Sequence, residues 1–357
     1  VYLECNDKGK VMDTTEKSTV FCFKNNSFDI IRYWAAISVM IGHFMWMIQK
    51  YAATDSVFAI AVTKIFTFFP GVVVLFSMSG YLIAASYERS KNRKEFFSKR
   101  ILRMYPELWV CTIVNLIIVC ILAHDLLDKS IFIWLLTQIV GIANTPSCLN
   151  NFATGSINGA LWTIFTEVQL YIVLGFIYNW VKKLNTKKWI ILLCFLSICN
   201  VSAGFLSSTV GGAVAKIVER FFLTYALWFF IGVFCYVKCQ KVIPILKRNI
   251  LWILLLYVIM QLITVKIPGY YANIAVGCLL PFLVIGGGYC LPTARLSCDL
   301  SYELFLYHWI VLNIMVYFNL MQKLPWQIGL VFFVVLSTIL AWLSWRFVGK
   351  GRKIKKD

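Results

Sequence analysis

An arginine and a histidine share one face of the first apolar segment of this chain. Arg32 and His43 lie in residues 29–43, whose other side chains are mostly Ile, Trp, Ala, Val and Met. At about 100° per residue, their eleven-residue separation places them within about 20° of each other around a helix. A charge deep in a bilayer costs at least ~2.5–3.5 kcal/mol, so it persists where it is paired, faces a wet interior or does chemistry. The pattern therefore predicts an interior-facing site.

His43 is the candidate for proton transfer. It follows Asp29 by 14 residues, roughly 21 Å along a helix, which places it past the midplane of the bilayer. A neutral imidazole is the commonest general base near pH 7. Asp29 and Arg32 are three residues apart and so neighbours on the same face. We interpret His43 and Arg32 as catalytic and Asp29 as a substrate contact. The alternative is a histidine that bonds a neighbouring helix.

A pair of arginines begins a later apolar segment. Arg100 and Arg103 follow a basic loop and share a helical face. Most charges of that loop are typical of a solvated loop between spans. Two guanidinium groups on one face can bind phosphate through bidentate hydrogen bonds. The pair predicts a phosphate-binding position at the entrance of the span.

Two other apolar segments also carry polar residues. In the first, Glu167 lies at about the depth of His43 and is interpreted as a third catalytic residue that orients or protonates against His43. The alternative is a salt bridge to Arg32. Trp162, Gln169 and Tyr171 of the same segment are candidate substrate contacts. In the second, His308 lies five residues after Glu303, so the two side chains face different sides of the helix. His308 is interpreted as structural.

Composition identifies the elements that position these residues. The 357-residue chain is 60% hydrophobic and 14% charged, whereas soluble domains are roughly 45–50% apolar and 25% charged. Apolar runs predict an all-α, polytopic transmembrane helical bundle of about ten spans. The run 131–143 is too short to cross and predicts a re-entrant or interfacial segment. The predicted spans are 29–49, 56–86 (with a break at Pro70-Gly71), 105–123, 160–181, 188–207, 220–238, 250–266, 270–290, 299–321 and 327–347.

Basic residues predict the orientation. With ten spans, 26 Lys and Arg fall on one side and seven on the other, which indicates cytoplasmic termini in the plasma or inner membrane. The predicted parts are a cytoplasmic segment 1–28, a transmembrane domain 29–347 and a basic tail 348–357. Residues 1–11 precede Met12 and are interpreted as an upstream extension. No cysteine or histidine spacing is typical of a metal site, and the loop placement of the positive charge argues against nucleic acid as a partner.

Four blocks of the chain combine these polar residues with their neighbours: Phe28-Asp-Ile-Ile-Arg-x10-His43; Phe69-Pro-Gly-Val-Val-Val-Leu-Phe-Ser-Met-Ser-Gly-Tyr-Leu-Ile83 with Arg100-x-x-Arg103; Leu161-Trp-Thr-x-x-x-Glu-x-Gln-Leu-Tyr171; and Ser301-Tyr-x-Leu-Phe-Leu-Tyr-His-Trp309. Taken in order, these blocks resemble the acyltransferase 3 family of integral-membrane O-acyltransferases. Their order, spacing and placement on spans together carry the resemblance, which covers residues 28–347.

The resemblance implies transfer of an acyl group, commonly acetyl from acetyl-coenzyme A, to a hydroxyl of a sugar, polysaccharide or lipid-linked glycan. It implies that Arg32 and His43 are the family's functional Arg-x10-His pair and that Arg100 and Arg103 are its Arg-x-x-Arg. We expect Arg100, Arg103 and Arg32 to bind the acyl donor. The expected form is the stand-alone one, without an appended extracytoplasmic domain. The expected role is modification of cell-envelope polysaccharide.

A different class of protein also fits the buried charges. Intramembrane Asp, Arg, His and Glu line ion or substrate paths in secondary transporters and flippases. The absence of an inverted repeat in the sequence and the Arg100/Arg103 pair favour the enzyme. Coupling of activity to an ion gradient would favour the transporter.

Overall fold

A computed structural model describes residues 25–52, 56–263, 268–293, 296 and 298–349. The terminal segments 1–24 and 350–357, which contain most of the predicted cytoplasmic segment and tail, lie outside the described residues. Within the described part, the chain is helical and has no strand. The helices are α1 Phe28–Ala52, α2 Val57–Thr67, α3 Gly71–Glu88, α4 Arg93–Leu122, α5 Ser130–Ile139, α6 Leu161–Val181, α7 Thr186–Val210, α8 Gly212–Arg220, α9 Phe222–Val237, α10 Cys239–Leu262, α11 Ile274–Cys290, α12 Ser301–Tyr317, α13 Leu320–Lys323 and α14 Trp326–Ser344.

The predicted all-α transmembrane bundle is confirmed. Eight helical stretches of the described chain are long and apolar enough to cross a membrane. The 17-residue helices α11 and α12 bring the bundle to about the ten predicted spans. The predicted break in the second span falls at Pro70, between α2 and α3. Two spans begin earlier than predicted, because α4 and α10 continue through basic residues that hydropathy assigned to loops.

The ends of the helices cluster at two ends of the bundle. The first end, which we call the basic end, contains the starts of α1, α4 and α12 and the ends of α3, α6 and α11. There Tyr178 and Lys182 contact Glu88 at 2.9 and 2.6 Å. The second, which we call the loop end, contains the end of α1 and the starts of α6 and α9. There Tyr51 donates to the carbonyl of Ala153 at 3.2 Å.

Burial separates an inner set of helices from an outer set. Most residues of α12 are buried, as are most of α3 and α9. The outer helices α4, α7, α10 and α14 expose large apolar side chains, as at Ile117, Phe195 and Trp252. In water such a surface would be unfavourable, so it is the lipid-facing side. The polar side chains that sequence analysis selected lie on α1, α4, α6 and α12.

Two glycines allow α3 and α9 to approach closely. A Cβ at Gly80 would overlap the backbone carbonyl of Phe229, and a Cβ at Gly232 would overlap that of Ser77. Membrane helices gain much of their packing energy from such small-residue contacts, because lipid provides little hydrophobic drive for association. The contact fixes α3, which carries Ser79, against the core of the bundle.

Gly80→Ala is expected to separate α3 from α9 and to destabilise the protein by about 1–3 kcal/mol, the usual cost of overpacking. Thermal unfolding of the detergent-solubilised protein measures the effect. Gly42→Ala is the matched control, because a Cβ there has nothing within 4 Å. Equal unfolding temperatures for the two variants would show that the α3–α9 contact is not tight.

The predicted short segment 131–143 is α5, a ten-residue apolar helix at the loop end. It is too short to cross a bilayer. Ile131 and Trp134 pack into a small separate core with Leu149, Phe152 and Ile157 of the following segment. This core holds the polar segment 143–159 over the starts of α6 and α9.

Candidate active site

His43 lies against a second histidine. Its Nδ1 is 2.9 Å from Nε2 of His308 on α12, and the two rings are stacked with centroids 5.2 Å apart. His308 is fully buried. α12 packs along α1 and turns the His308 side chain toward it, a contact that the spacing from Glu303 does not predict. We call His43 and His308 the imidazole pair.

Hydrogen bonding fixes the tautomers of the imidazole pair. Nδ1 of His308 is 3.1 Å from the carbonyl oxygen of Leu304, and a carbonyl can only accept. When both rings are neutral, Nδ1 of His308 therefore carries the hydrogen and its Nε2 carries the lone pair. Nδ1 of His43 must then donate to His308. This leaves Nε2 of His43 as a lone pair, which is the form a general base requires.

Trp309 connects the imidazole pair to the loop end. Its ring meets that of His43 edge to face at 4.9 Å. Its indole N–H is 3.1 Å from the hydroxyl of Thr154 and 3.2 Å from the carbonyl of Ser156. A Cβ at Gly159 would overlap the same ring, so only glycine lets the segment before α6 lie against Trp309.

Arg32 forms two ion pairs at the basic end. Its Nη1 is 2.5 Å from Oδ2 of Asp299 and 3.6 Å from Oδ1 of Asp29. The predicted neighbour Asp29 is present, but the closer partner is Asp299, which lies two residues before α12. Asp299 also accepts from the hydroxyl of Ser301 at 2.6 Å. These contacts tie the start of α12 to the first turns of α1.

The pKa of Asp299 is lowered from its ordinary value. Burial opposes ionisation, but the positive charge of Arg32, the hydrogen bond from Ser301 and the charge of Arg103 together outweigh it. The carboxyl group is therefore ionised at neutral pH, and the pair with Arg32 is a true ion pair.

Asp299→Asn is expected to cost about 1–3 kcal/mol of stability at pH 7, because it leaves the Arg32 charge with a weaker partner. Because the pKa of Asp299 is lower in the folded than in the unfolded protein, its ionised form stabilises the fold above the unfolded-state pKa of about 4. This stabilisation is lost as the pH falls through the folded-state pKa. The difference in unfolding temperature from wild type should therefore shrink below about pH 4. Asp125→Asn, at a carboxyl group 84% exposed, is the control. A difference that stays constant as the pH falls well below that value would contradict the ion pair.

Glu167 belongs to a different cluster from His43. Its Oε1 accepts from the hydroxyl of Ser79 at 2.5 Å and from that of Tyr171. The hydroxyl groups of Ser79 and Tyr171 are 3.1 Å apart. Of the two partners predicted for Glu167, His43 has His308 beside its Nδ1 at 2.9 Å, and the other is Arg32.

A cavity of about 120 Å³, which we call the inner cavity, contains several of the predicted residues. Arg32, Arg103, Glu167 and Tyr171 line it together with Ser79. The rest of its wall is mainly apolar and comes from α3, α6 and α12. His43 does not line it. The ring of Phe305 does, and its centroid is 5.9 Å from that of His308, so one side chain separates the cavity from the imidazole pair.

The two arginines of the predicted pair differ in position. Arg103 is exposed at the basic end and reaches the inner cavity. Arg100 is partly buried, donates from Nη2 to the hydroxyl of Ser86 at 3.0 Å and does not line the cavity. They lie on the same helix, α4, one turn apart, as their spacing predicts.

The remaining predicted residues face the loop end. Trp162 lines a second cavity, described below. Gln169, whose contact with substrate stays a prediction, bridges the turn between α8 and α9. Its amide donates to the carbonyl of Arg220 at 2.9 Å and accepts from the N–H of Phe222 at 3.2 Å. Among the described residues, no cluster of three or more His, Cys, Asp or Glu that could hold a metal is present.

The comparisons with known proteins agree with this architecture. The family model of the acyltransferase domain matches residues 25–346. The chain belongs to the acyltransferase 3 family and is a multi-pass membrane acyltransferase. It is 25% identical over 325 residues to "Nodulation protein 10" of Rhizobium leguminosarum bv. viciae, and the alignment covers 82% of this chain and 84% of the nodulation protein. It is 29% identical over 194 residues to the "O-acetyl transferase" of Shigella phage Sf6, and that alignment covers 50% of this chain and 54% of the phage protein. No solved structure matches significantly.

Proposed function

We propose that the protein transfers an acyl group, acetyl in the simplest case, from a cytoplasmic acyl-coenzyme A to a hydroxyl of a glycan acceptor. The observation that carries the proposal is the imidazole pair, with one lone pair free at His43, one side chain away from a cavity that contains Arg32 and Arg103. Membership of the acyltransferase 3 family supports this chemistry.

The inner cavity suits the thioester end of the donor. Its wall is mainly apolar, as the uncharged arm of coenzyme A requires, and Arg103 stands at the basic end. The phosphates of the donor remain outside, where Arg103 and Arg100 bind them. This arrangement needs the basic end to face the cytoplasm, which the predicted distribution of Lys and Arg supports. Both termini are then cytoplasmic, in the plasma or inner membrane.

His43 acts as the general base in this proposal. Its Nε2 takes the proton of the acceptor hydroxyl as the oxygen attacks the thioester carbonyl. The carbon–sulfur bond then breaks, and the leaving thiolate receives the proton from the imidazolium. An ester and free coenzyme A are the products. The ring of Phe305 must turn aside for the thioester to reach His43.

His308 and Arg32 support this step in different ways. His308 accepts from Nδ1 of His43 and stabilises the positive charge that develops on its ring. Arg32 lies in the inner cavity with its charge already shared by Asp299. We assign Arg32 to holding and polarising the thioester, and Glu167 to positioning Tyr171 and Ser79 along the cavity wall.

Arg103→Gln is expected to raise the KM for acetyl-coenzyme A by roughly 10-fold or more, because a hydrogen bond to a charged group contributes about 1.5–3 kcal/mol. The kcat should change little, because the phosphate contact is the same in the ground and transition states. Lys99→Gln is the control, since it removes the same charge from the same helix but pairs with Glu95 at 2.7 Å. An unchanged KM in Arg103→Gln would remove the donor-binding role.

Mass spectrometry of surface glycans from cells with and without the protein tests the proposal as a whole. The expected result is an ester-linked acyl group that disappears when the protein is absent. A transporter or flippase would leave the glycans unesterified in vitro and would not bind acetyl-coenzyme A, and its activity would depend on an imposed ion gradient. Those results together would refute the enzyme and support the transporter.

A further inference from the structure

A second cavity, which we call the outer cavity, opens at the loop end. Its volume is about 260 Å³, and three separate segments form it: the polar segment 143–159 with the start of α6, the α8–α9 turn and residues 270–271 before α11. It is more polar than the inner cavity. The rings of Trp162, Tyr225, Tyr270 and Tyr271 line it.

Several polar groups of the outer cavity have no protein partner in the described part of the chain. Asn144 accepts from Thr137 and Gln138 through Oδ1, which leaves its amide N–H groups free to donate. The indole N–H of Trp162 and the guanidinium of Arg220 have no acceptor there. Glu219 accepts from Ser207 through Oε1, and its Oε2 is free. Both donors and acceptors are thus available in one cavity.

The outer cavity contains one acidic and one basic side chain, so its formal charges balance. Arg220 and Glu219 both line it and, among the described residues, are its only ionisable side chains apart from tyrosines. Such a pair attracts neither an anion nor a cation strongly, but it hydrogen-bonds well to hydroxyl groups, which both donate and accept. Together with flat aromatic rings, this is a surface for an uncharged ring that bears several hydroxyls.

Tyr271 is held in an unusual backbone conformation. Its φ is 65°, which a bulky residue adopts only where its surroundings impose it. Tyr270 is anchored beside it, because its N–H donates to Asn200 at 3.1 Å, while the Tyr271 side chain remains 51% exposed. The strained turn presents an accessible ring over the cavity, with its centroid 6.4 Å from that of Trp162.

The outer cavity lies one side chain from His43. Ser156 and Gly159 line it, and both contact Trp309, whose ring meets His43 at 4.9 Å. The imidazole pair is therefore flanked by the inner cavity through Phe305 and by the outer cavity through Trp309. A group held in the outer cavity and a thioester in the inner cavity would thus approach the imidazole pair past different side chains.

We propose that the outer cavity is the acceptor subsite and that it holds one uncharged sugar ring, packed against the rings of Trp162 and Tyr271 and hydrogen-bonded by Asn144, Glu219 and Arg220. This assignment rests on the proposed function for the fate of the sugar, but binding itself requires neither the acyl donor nor His43.

Saturation-transfer NMR on the full-length protein in detergent tests the subsite without acyl transfer. The probes are the methyl glycosides of glucose, galactose, mannose and N-acetylglucosamine, with methyl glucuronide as the charged comparison. At least one neutral glycoside should bind, and Tyr271→Asn and Trp162→Phe should weaken that binding about fivefold, since an aromatic contact contributes about 0.5–1.5 kcal/mol. Asparagine tolerates the left-handed backbone of residue 271.

Tyr317→Asn is the matched control, because Tyr317 is 42% exposed at the loop end but does not line the cavity. Its binding should equal that of wild type, and size-exclusion profiles establish that all variants are folded. Binding of no neutral glycoside, wild-type binding in both test variants, or binding of methyl glucuronide alone would overturn the subsite. Failure of acetyl-coenzyme A to bind the same preparation would instead count against the proposed function.

Discussion

Replacing His43 with alanine is expected to abolish acyl transfer while leaving a folded protein in the membrane. A positioned general base contributes about 10²–10⁴-fold to the rate, and among the described contacts His308 has its Nε2 directed at His43 and not at a substrate. The measurement is ester formation on the glycan acceptor by purified protein with acetyl-coenzyme A. The kcat should fall to the background rate, and the KM for acetyl-coenzyme A should stay close to that of wild type.

The control for His43→Ala is a histidine outside the site. His124 lies in an exposed turn beside Asp125, so His124→Ala should transfer at the wild-type rate. Both variants should give the same size-exclusion profile. A His43→Ala protein that retains more than about a tenth of the wild-type kcat would refute its assignment as the base.

Replacing His308 with leucine is expected to have the second-largest effect, lowering kcat by about 10²-fold or more. The substitution removes the acceptor at 2.9 Å from Nδ1 of His43. The His43 ring then loses its fixed tautomer and the partner that stabilises its protonated form. In serine proteases, removing the group that fixes the tautomer of the catalytic histidine lowers kcat by about 10⁴-fold. His308 is thus a positioning residue.

His308→Gln separates positioning from packing. The amide oxygen of glutamine can still accept from Nδ1 of His43, so this variant should recover a substantial part of the activity lost in His308→Leu. The pH–rate profile provides the second readout, because loss of the imidazole partner alters the pKa that controls kcat/KM, whereas loss of packing alone only lowers the amount of folded enzyme. Equal activity of the two variants with an unmoved pH profile would make His308 structural.

The sequence predicts the bundle well because a bilayer restricts the possibilities. Backbone groups in lipid must be paired internally, so an apolar run of about 20 residues is a helix. The break at Pro70 follows from the missing N–H of proline. Hydropathy fails at the starts of α4 and α10, because these helices continue past the membrane edge through Arg93 and Lys241, where water solvates the charges.

The sequence identifies part of the site, and the structure shows which residues of different helices pair with each other. Helical spacing places Arg32 and His43 on one face and Arg100 and Arg103 on another. It does not give the rotation of α12 about its axis, so it does not predict that His308 lies against His43. The same information would be needed to select Asp299, which precedes the Ser301 block and pairs with Arg32 across 267 positions of the chain.

Glu167 and Gln169 show a second limit of the sequence, which is that it does not give the role of a polar side chain on an apolar segment. Both have polar side chains on an apolar segment, which is a reason to expect function. In the structure, Glu167 bonds the hydroxyls of Ser79 and Tyr171 in the inner cavity, whereas Gln169 satisfies backbone groups of the α8–α9 turn. Residue type and depth do not distinguish a cavity-lining carboxylate from a structural amide, because both reduce the cost of burial through hydrogen bonds.

The proposed mechanism passes an acyl group from a thioester at the basic end to a hydroxyl at the loop end through the imidazole pair. Inverted membrane vesicles supplied externally with isotopically labelled acetyl-coenzyme A test it most directly, with mass spectrometry of the glycans inside the vesicles. Labelled acetyl ester is expected in wild-type vesicles and none in His43→Ala vesicles. Equal label in both, or no label in wild-type vesicles that contain the acceptor, would contradict the mechanism.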